Sequence, residues 1–506
     1  MKRTLVLLAV GMLLGAGFYL RFYELDQKPM HTDEAVNGVM IHQMLAGESV
    51  AFDPSHYHGP LLRYLAIPVV KLADLVTGSG LTEKSLRLLT ALAGGAIVLM
   101  FLGYKGLIGQ KAAYIAAGFA AVSPPLIYYS RYFIHESIFV LCSLIFLKQL
   151  WRFWLERSWK HAIWAGLWLG VLHAIRETVV LVLFAAAVGL IVSMGREWQK
   201  HFKWLLSKDG LSKVGVILLS GALVSIVFYS AFFTYFQGVI DSVLTYFIYE
   251  KDLAHDKPWY YYIGLIVGEK SRVGYLGQVW ILVLALAAFW RLLVDRKTDP
   301  ERLACFRFIA GYTIATTVLY SAIAYKTPWL MLNFLVGWVL LAGMGWSFLW
   351  IRFSQVAVRI VLVVAVAFCF VNSLRQSSLL NFRFSADPRN PFVYSHTSPD
   401  LVKLVDRIEL LAGLDSEGKR MRIDIAGTEY WPLPWYLRDF ARVGYWSELP
   451  ADSDAKIRLF SFEGEETVPE LDPSAYTSEL RGLRDGVFVL IFIENELWEK
   501  QFEDKL

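Results

Sequence analysis

The sequence contains little charge and little cysteine for its length. Only 19% of its 506 residues are charged, whereas 56% are hydrophobic. A soluble chain carries about 25% charged residues, so this composition excludes an ordinary soluble protein. The three cysteines, Cys142, Cys305 and Cys369, lie in or beside apolar runs, and we expect buried side chains without a disulfide. The net charge of +4 says little by itself, because the positions of Lys and Arg matter more. We expect no nucleic-acid partner.

The chain instead contains apolar runs of about 20 residues, the length that crosses a bilayer as a helix. They predict a polytopic α-helical membrane protein with about 11 transmembrane helices. The predicted spans are 4–20, 86–107, 112–130, 134–153, 162–176, 177–194, 214–235, 275–293, 306–324, 328–349 and 356–373. The first run is expected to be retained, because the bulky residues 19–23 offer no signal-peptide cleavage site.

The positions of the Lys and Arg residues predict the orientation of the chain in the membrane. With a cytoplasmic N-terminus, every cytoplasmic connection between the spans is basic, as the positive-inside rule requires. We therefore expect a multi-pass protein of the cell (inner or plasma) membrane. Residues 1–374 form its transmembrane domain, and 375–506 form a soluble extracytoplasmic domain. In the first outer loop, 21–85, the amphipathic stretches 35–45 and 61–76 are expected to be interfacial helices.

The tail predicts a small α/β domain. Strands are predicted at 421–427, 457–462 and 487–493, and helices at 435–440 and 494–502. Strands that alternate with helices favour this class.

Two adjacent carboxylates, Asp33 and Glu34, follow the first apolar run. A carboxylate at a membrane boundary can serve as a base, a metal ligand or a partner for a cation. The alternative is a structural cap on a helix that begins at Ala35, because Asp is a good N-cap and acidic residues suit a first turn.

Three basic residues on the predicted outer face are candidates for holding a phosphate: Arg131, Arg176 and Lys326. The fork of an arginine suits phosphate oxygens, and a lysine on the outer side runs against the orientation rule. The alternatives are snorkelling side chains for Arg131 and Lys326 and an internal ion pair between Arg176 and Glu177. Glu136 begins a predicted helix and is either a functional acid or a helix-start residue.

Aromatic and histidine residues supply the remaining candidates. Tyr260, Tyr261 and Tyr262 belong to a run that could form an interfacial belt or stack on a sugar ring or an isoprenoid chain. His58 and His135 are candidates for substrate binding. A divalent metal is the one cofactor left open, without a tight ligand motif to define its site. Its candidate ligands are His31, Asp33, His56, His58, His135 and Glu136.

Several segments resemble the GT-C superfamily of membrane glycosyltransferases, which includes the protein O-mannosyltransferases and the aminoarabinose transferases. The broad resemblance rests on the Asp-Glu pair, on Arg-x-x-x-His-Glu at 131–136 and on Lys-x-Pro-Trp at 326–329. A narrower resemblance is to a prokaryotic branch of flippase-activity-associated proteins. The segments that carry it are 33–36 (DEAV), 57–61 (YHGPL), 325–329 (YKTPW), 390–400 (NPFVYSHTSPD) and 431–437 (WPLPWYL).

This resemblance implies a polyprenyl-phosphate sugar as donor and a lipid, glycan or protein acceptor. It also implies that Asp33 is the catalytic base, with Glu34 beside it, and that basic residues hold the lipid phosphate. Glu136 matches the second-loop acid, which is Asp in several relatives. The expected function is an inverting sugar transfer to an acceptor hydroxyl at the outer membrane face. The alternative is a non-catalytic protein that binds lipid-linked sugar or assists a flippase.

Overall fold

The structure, a computed structural model, describes residues 2–248, 255–271, 274–294, 299–464 and 468–503. The α-helices are α1 (Lys2–Phe22), α2 (Thr32–Leu45), α3 (Leu61–Thr77), α4 (Glu83–Gly103), α5 (Lys105–Ile108), α6 (Gln110–Val122), α7 (Pro124–Tyr128), α8 (Glu136–Glu156), α9 (Trp159–Ile175), α10 (Val179–Met194), α11 (Trp198–Leu205), α12 (Lys208–Tyr229), α13 (Gln237–Ile248), α14 (Tyr261–Val267), α15 (Val279–Val294), α16 (Pro300–Ala322), α17 (Leu332–Arg352), α18 (Val356–Ser378), α19 (Pro399–Leu414), α20 (Leu433–Tyr436) and α21 (Asn495–Glu503). The strands are β1 (Glu269–Ser271), β2 (Gly274–Leu276), β3 (Arg422–Ala426), β4 (Arg442–Trp446), β5 (Ile457–Glu463), β6 (Tyr476–Arg484) and β7 (Val487–Glu494).

The chain divides into two compact units. The first, which we call the helical unit, consists of Met1–Leu25 and Val50–Arg383. The second, the sheet unit, consists of Asp26–Ser49 and Phe384–Leu506. Residues 26–49 therefore fold with the C-terminal part of the chain, although the sequence places them in the loop after the first apolar run.

Long apolar helices dominate the helical unit. Within the described residues, six are long and apolar enough to cross a membrane, and a bent pair would make seven. The six are Glu83–Ile108, Glu136–Glu156, Lys208–Tyr229, Pro300–Ala322, Pro328–Arg352 and Val356–Arg383. Shorter apolar helices lie at Val10–Phe22, Val179–Met194 and Val279–Val294. These helices confirm the polytopic helical class, and the number of eleven spans stays a prediction.

Two predicted spans differ from the observed helices. The span predicted at 112–130 is bent by 61° between α6 and α7. Pro124 and Pro125 explain the bend, because proline disfavours a helical conformation at the residue before it and lacks an N–H for the helix ladder. The span predicted at 214–235 ends at Tyr229, since Ala231, Phe232 and Phe233 have positive φ angles, which a right-handed helix excludes.

Glycines allow close helix packing in this unit. A Cβ atom on Gly170 of α9 would collide with the carbonyl oxygen of Gly221 of α12, and one on Gly345 of α17 with that of Leu284 of α15. Small residues let helix backbones approach where apolar lipid supplies no hydrophobic drive for association. The three cysteines are buried and unpaired.

The sheet unit contains a five-stranded sheet in the order β4-β3-β5-β7-β6. Strands β4, β3 and β5 are parallel, and β7 is antiparallel to both β5 and β6. Helix α19 begins with Ser398 as its N-cap and Pro399 at its first position, a favoured start. Its buried apolar stripe packs against the alternate inward residues of the strands.

The α/β prediction for the tail is confirmed, with corrections. Strands were expected where β3, β5 and β7 lie, whereas β4, β6 and α19 were not expected. The helix predicted at 435–440 is only the single turn α20, Leu433–Tyr436.

Candidate functional site

The acidic pair lies in the first turn of α2, in the sheet unit. His31 is the N-cap, and its Nδ1 accepts the backbone N–H of Asp33 at 3.1 Å. The Glu34 carboxylate accepts the backbone N–H of His31 at 3.0 Å and completes a capping box. The helix therefore begins at Thr32 and not at Ala35. Of the acidic pair expected to cap it, Glu34 takes part in the cap, whereas the N-cap is His31 and not Asp33.

The two carboxylates have different surroundings. Glu34 is fully buried, with 0% of its surface exposed, whereas the side chain of Asp33 is 52% exposed. The Asp33 carboxylate lies 3.9 Å from Nδ1 of His31. Because Nδ1 accepts a backbone N–H, it has no proton to share with Asp33. Of the pair, Asp33 is therefore the carboxylate that solvent and a substrate can reach.

A second group of candidate residues forms a buried charged cluster in the helical unit. The Arg176 guanidinium is hydrogen-bonded to Glu136, and its Nε lies 3.7 Å from Glu177 Oε1. Glu177 Oε2 lies 3.0 Å from Nδ1 of His58. The His58 ring meets the His135 ring edge-on, with centroids 5.2 Å apart. Four residues predicted for the site therefore come together: His58, His135, Glu136 and Arg176. Glu177 joins them, although the sequence suggests it only as a partner of Arg176.

Local backbone geometry explains this convergence. Glu136 is the first residue of α8, and Arg176 and Glu177 lie in the break between α9 and α10. His58 is followed by Gly59, where a Cβ atom would collide with the carbonyl oxygen of Ala174 at the end of α9. Only glycine allows the turn before α3 to lie so close to this break.

Opposite charges pair in the cluster. The Arg176 guanidinium contacts the Glu136 and Glu177 carboxylates, and the Glu177 carboxylate also contacts the His58 ring. The ion-pair alternative for Arg176 describes its contacts here, since two carboxylates surround it.

Arg131 and Lys326 are both buried and donate to backbone carbonyls. Arg131 donates to the carbonyls of Leu20, Tyr23 and Glu24 near the end of α1, where helix carbonyls lack partners. Its guanidinium also stacks on a phenyl ring, that of Phe382, at 4.9 Å. Lys326 donates to the carbonyls of Lys257, at 2.9 Å, and Ile323. These acceptors are neutral backbone groups, and the Asp256 carboxylate interacts electrostatically with Lys326.

The three tyrosines, Tyr260, Tyr261 and Tyr262, differ in burial. Tyr260 is exposed, whereas Tyr262 is fully buried and donates from its hydroxyl to the carbonyl of Thr327 at 3.2 Å. Tyr261 is half-buried. They do not present one stacking surface, and the exposed Tyr260 fits the belt alternative.

The candidate metal ligands have other contacts. His56 lies 3.1 Å from Asp53 at an exposed turn, and His58 and Glu136 belong to the charged cluster. Across the described ranges, no group of three or more His, Cys, Asp or Glu side chains could hold a metal ion. The divalent metal stays a prediction.

Comparison with solved structures shows that the bent span, the long apolar helices and the small sheet domain belong to a GT-C fold. A family model described as dolichyl-phosphate-mannose-protein mannosyltransferase matches residues 58–214. This range includes the whole charged cluster. No curated protein sequence matches the chain.

Among solved structures, the chain is similar to ArnT from Cupriavidus metallidurans bound to undecaprenyl phosphate. The match has a TM-score of 0.60 and 13% identity, and it covers 95% of this chain and 97% of that one. The chain is also similar to the oligosaccharyltransferase AglB from Archaeoglobus fulgidus in complex with an inhibitory peptide and a dolichol-phosphate. There the TM-score is 0.52 at 11% identity, with 87% of this chain and 64% of that chain covered.

Proposed function

We propose that this protein transfers a sugar from a polyprenyl-phosphate donor to an acceptor hydroxyl, with inversion, at the outer face of the cell membrane. One observation carries the proposal. In a chain with the GT-C fold, the pair Asp33–Glu34 contains one carboxylate committed to a helix cap and one that is half-exposed. A general base must reach the proton that it removes, and Asp33 is the member of the pair that meets this requirement.

Asp33 accepts the proton of the acceptor hydroxyl as the hydroxyl oxygen attacks the anomeric carbon. The bond from that carbon to the phosphate oxygen breaks, and its electron pair leaves with the polyprenyl phosphate. A single displacement of this kind inverts the anomeric centre, because the carboxylate acts as a base and not as a nucleophile.

The departing phosphate needs positive charge where its own charge develops. Lys326 suits this role because its hydrogen-bond acceptors are neutral backbone carbonyls, and Arg131 is the second candidate. Arg176 lies between two carboxylates, so we assign it to holding Glu136 and Glu177 in place. In this proposal the N-terminus is cytoplasmic and the sheet unit extracytoplasmic.

The test uses purified protein in detergent and a panel of synthetic polyprenyl-phosphate hexoses. Mass spectrometry measures the release of polyprenyl phosphate by the wild-type protein, by Asp33→Asn and by the control Asp452→Asn, which changes another exposed aspartate of the sheet unit. We expect release with at least one donor, a loss of about 10²–10⁴-fold in Asp33→Asn, and no change in the control.

Donor binding without release, in both the wild-type protein and Asp33→Asn, would contradict the proposal. It would support the alternative of a protein that binds lipid-linked sugar or assists a flippase.

A further inference from the structure

The segment that carries Asp33 is attached to the C-terminal part of the sheet unit through Met30. The backbone N–H of Met30 donates to the hydroxyl of Tyr436 at 2.8 Å. The carbonyl of Met30 accepts a hydrogen bond from the hydroxyl of Thr397 at 2.6 Å. Met30 is fully buried, so both of its backbone polar groups need partners, and C-terminal side chains supply one to each.

The next two residues continue this attachment. The rings of His31 and His396 stack at 5.8 Å with 13° between their planes, and both are buried. The His31 ring is the one whose Nδ1 accepts the backbone N–H of Asp33. Arg484 reaches the hydroxyl of Thr32 at 3.4 Å. Three successive residues before Asp33 therefore contact the C-terminal part of the chain.

These contacts give a role to two sequence segments that the proposed reaction leaves unused. His396 and Thr397 belong to the segment 390–400, and Tyr436 belongs to 431–437. Both segments carry the sequence resemblance, yet neither supplies a group for proton transfer or for binding the phosphate in the proposed mechanism.

We propose that His396, Thr397 and Tyr436 are positioning residues that hold the start of α2 and thereby aim the Asp33 carboxylate. This inference rests on the proposed role of Asp33 as the base. The three residues take no proton themselves. They act through backbone hydrogen bonds and ring packing, and misplacing a catalytic group by about 1 Å can cost about 10²-fold in rate.

The experiment compares variants that remove one hydroxyl each. Thr397→Val keeps the side-chain shape without the donor, Thr397→Ser keeps the donor, and Tyr436→Phe removes the acceptor for the Met30 N–H. The matched control is Tyr476→Phe, whose hydroxyl donates to the carbonyl of Ala455, at 3.0 Å, elsewhere in the sheet unit. Two quantities are measured: amide hydrogen exchange in the peptide 28–36 and turnover of a synthetic polyprenyl-phosphate hexose.

In Thr397→Val and Tyr436→Phe we expect amide exchange in this peptide to accelerate about tenfold. That factor corresponds to about 1.4 kcal/mol, within the range of one hydrogen bond. We also expect kcat to fall about ten- to a hundredfold while the KM for the donor stays within about twofold. Thr397→Ser should restore both quantities, and Tyr476→Phe should change neither.

The outcomes separate this inference from the proposed function. If Asp33→Asn is inactive, but Thr397→Val and Tyr436→Phe show normal amide exchange and normal turnover, the positioning role is wrong. The assignment of Asp33 as the base is then kept. Faster exchange with unchanged kcat also overturns the positioning role. If Asp33→Asn keeps full turnover, the proposed base fails. If Thr397→Val does not fold, Tyr436→Phe decides by the same two measurements.

Discussion

The structure predicts that Asp33→Asn should mainly lower turnover, whereas Glu34→Gln should mainly lower stability. Asp33 is half-exposed at the first turn of α2, whereas Glu34 is fully buried and accepts the His31 backbone N–H. The first variant removes the proposed base without touching the cap. The second keeps an amide oxygen as acceptor for the cap but removes its charge.

The magnitudes follow from these surroundings. General-base catalysis contributes about 10²–10⁴-fold, so Asp33→Asn should lose that much turnover. Its free energy of unfolding should change by no more than about 0.5 kcal/mol, as for most surface substitutions. A hydrogen bond to a charged group contributes about 1.5–3 kcal/mol and a neutral one about 0.5–1.5 kcal/mol. Glu34→Gln should therefore lose about 1 kcal/mol of stability and less than tenfold in turnover.

The assay combines release of polyprenyl phosphate with thermal unfolding in detergent. Glu34→Ala serves as the control for the cap, because it removes the acceptor and should be less stable than Glu34→Gln. If Glu34→Gln is the less active variant and Asp33→Asn the less stable one, the base and the cap have been assigned to the wrong residues. Full activity in both variants would leave the pair as a helix cap alone.

Three further predictions concern the helical unit and the membrane orientation. Lys326→Ala should raise the donor KM about ten- to a hundredfold, because a charged contact to phosphate contributes about 1.5–3 kcal/mol; an unchanged KM in a donor titration would remove Lys326 from the phosphate site. Glu136→Gln and Arg176→Met should each lower the free energy of unfolding by about 3–5 kcal/mol, measured by thermal unfolding. The double variant should lower it by less than the sum of the two; additive effects would mean that the two side chains do not interact. An impermeant thiol reagent should label exposed Ser447→Cys in intact cells but not exposed Lys200→Cys, against a low background because the native cysteines are buried; the reverse pattern would invert the orientation.

The sequence predicts the interior strands of the sheet but not its edge strands. Strands β3, β5 and β7 are the interior strands of the sheet, and apolar residues recur in each at alternate or successive positions. Strands β4 and β6 are its two edges, and both are largely exposed or half-buried. An edge strand keeps one side in solvent and tolerates charge, so its sequence lacks the apolar run that predicts a strand.

The partners within the site could not be predicted in the same way. The sequence identifies His58, Glu136 and Arg176 as candidates, but His58 and its partner Glu177 are 119 residues apart, and Glu136 and Arg176 are 40 apart. Only the packing of α8, α9 and the turn before α3 brings them together. Gly59 was the available signal, since a glycine between His and Pro indicates a close backbone approach.

The structure separates the two acids of the pair: Glu34 takes part in the helix cap, and Asp33 keeps an exposed carboxylate. Successive residues of a helix point about 100° apart. Once the Glu34 carboxylate turns back to the His31 N–H, the neighbouring Asp33 side chain must point in another direction. Here that direction leads to solvent, while the backbone N–H of Asp33 stays bonded to His31. In the proposed mechanism the two acids therefore have separate tasks, Glu34 in the helix cap and Asp33 as the base.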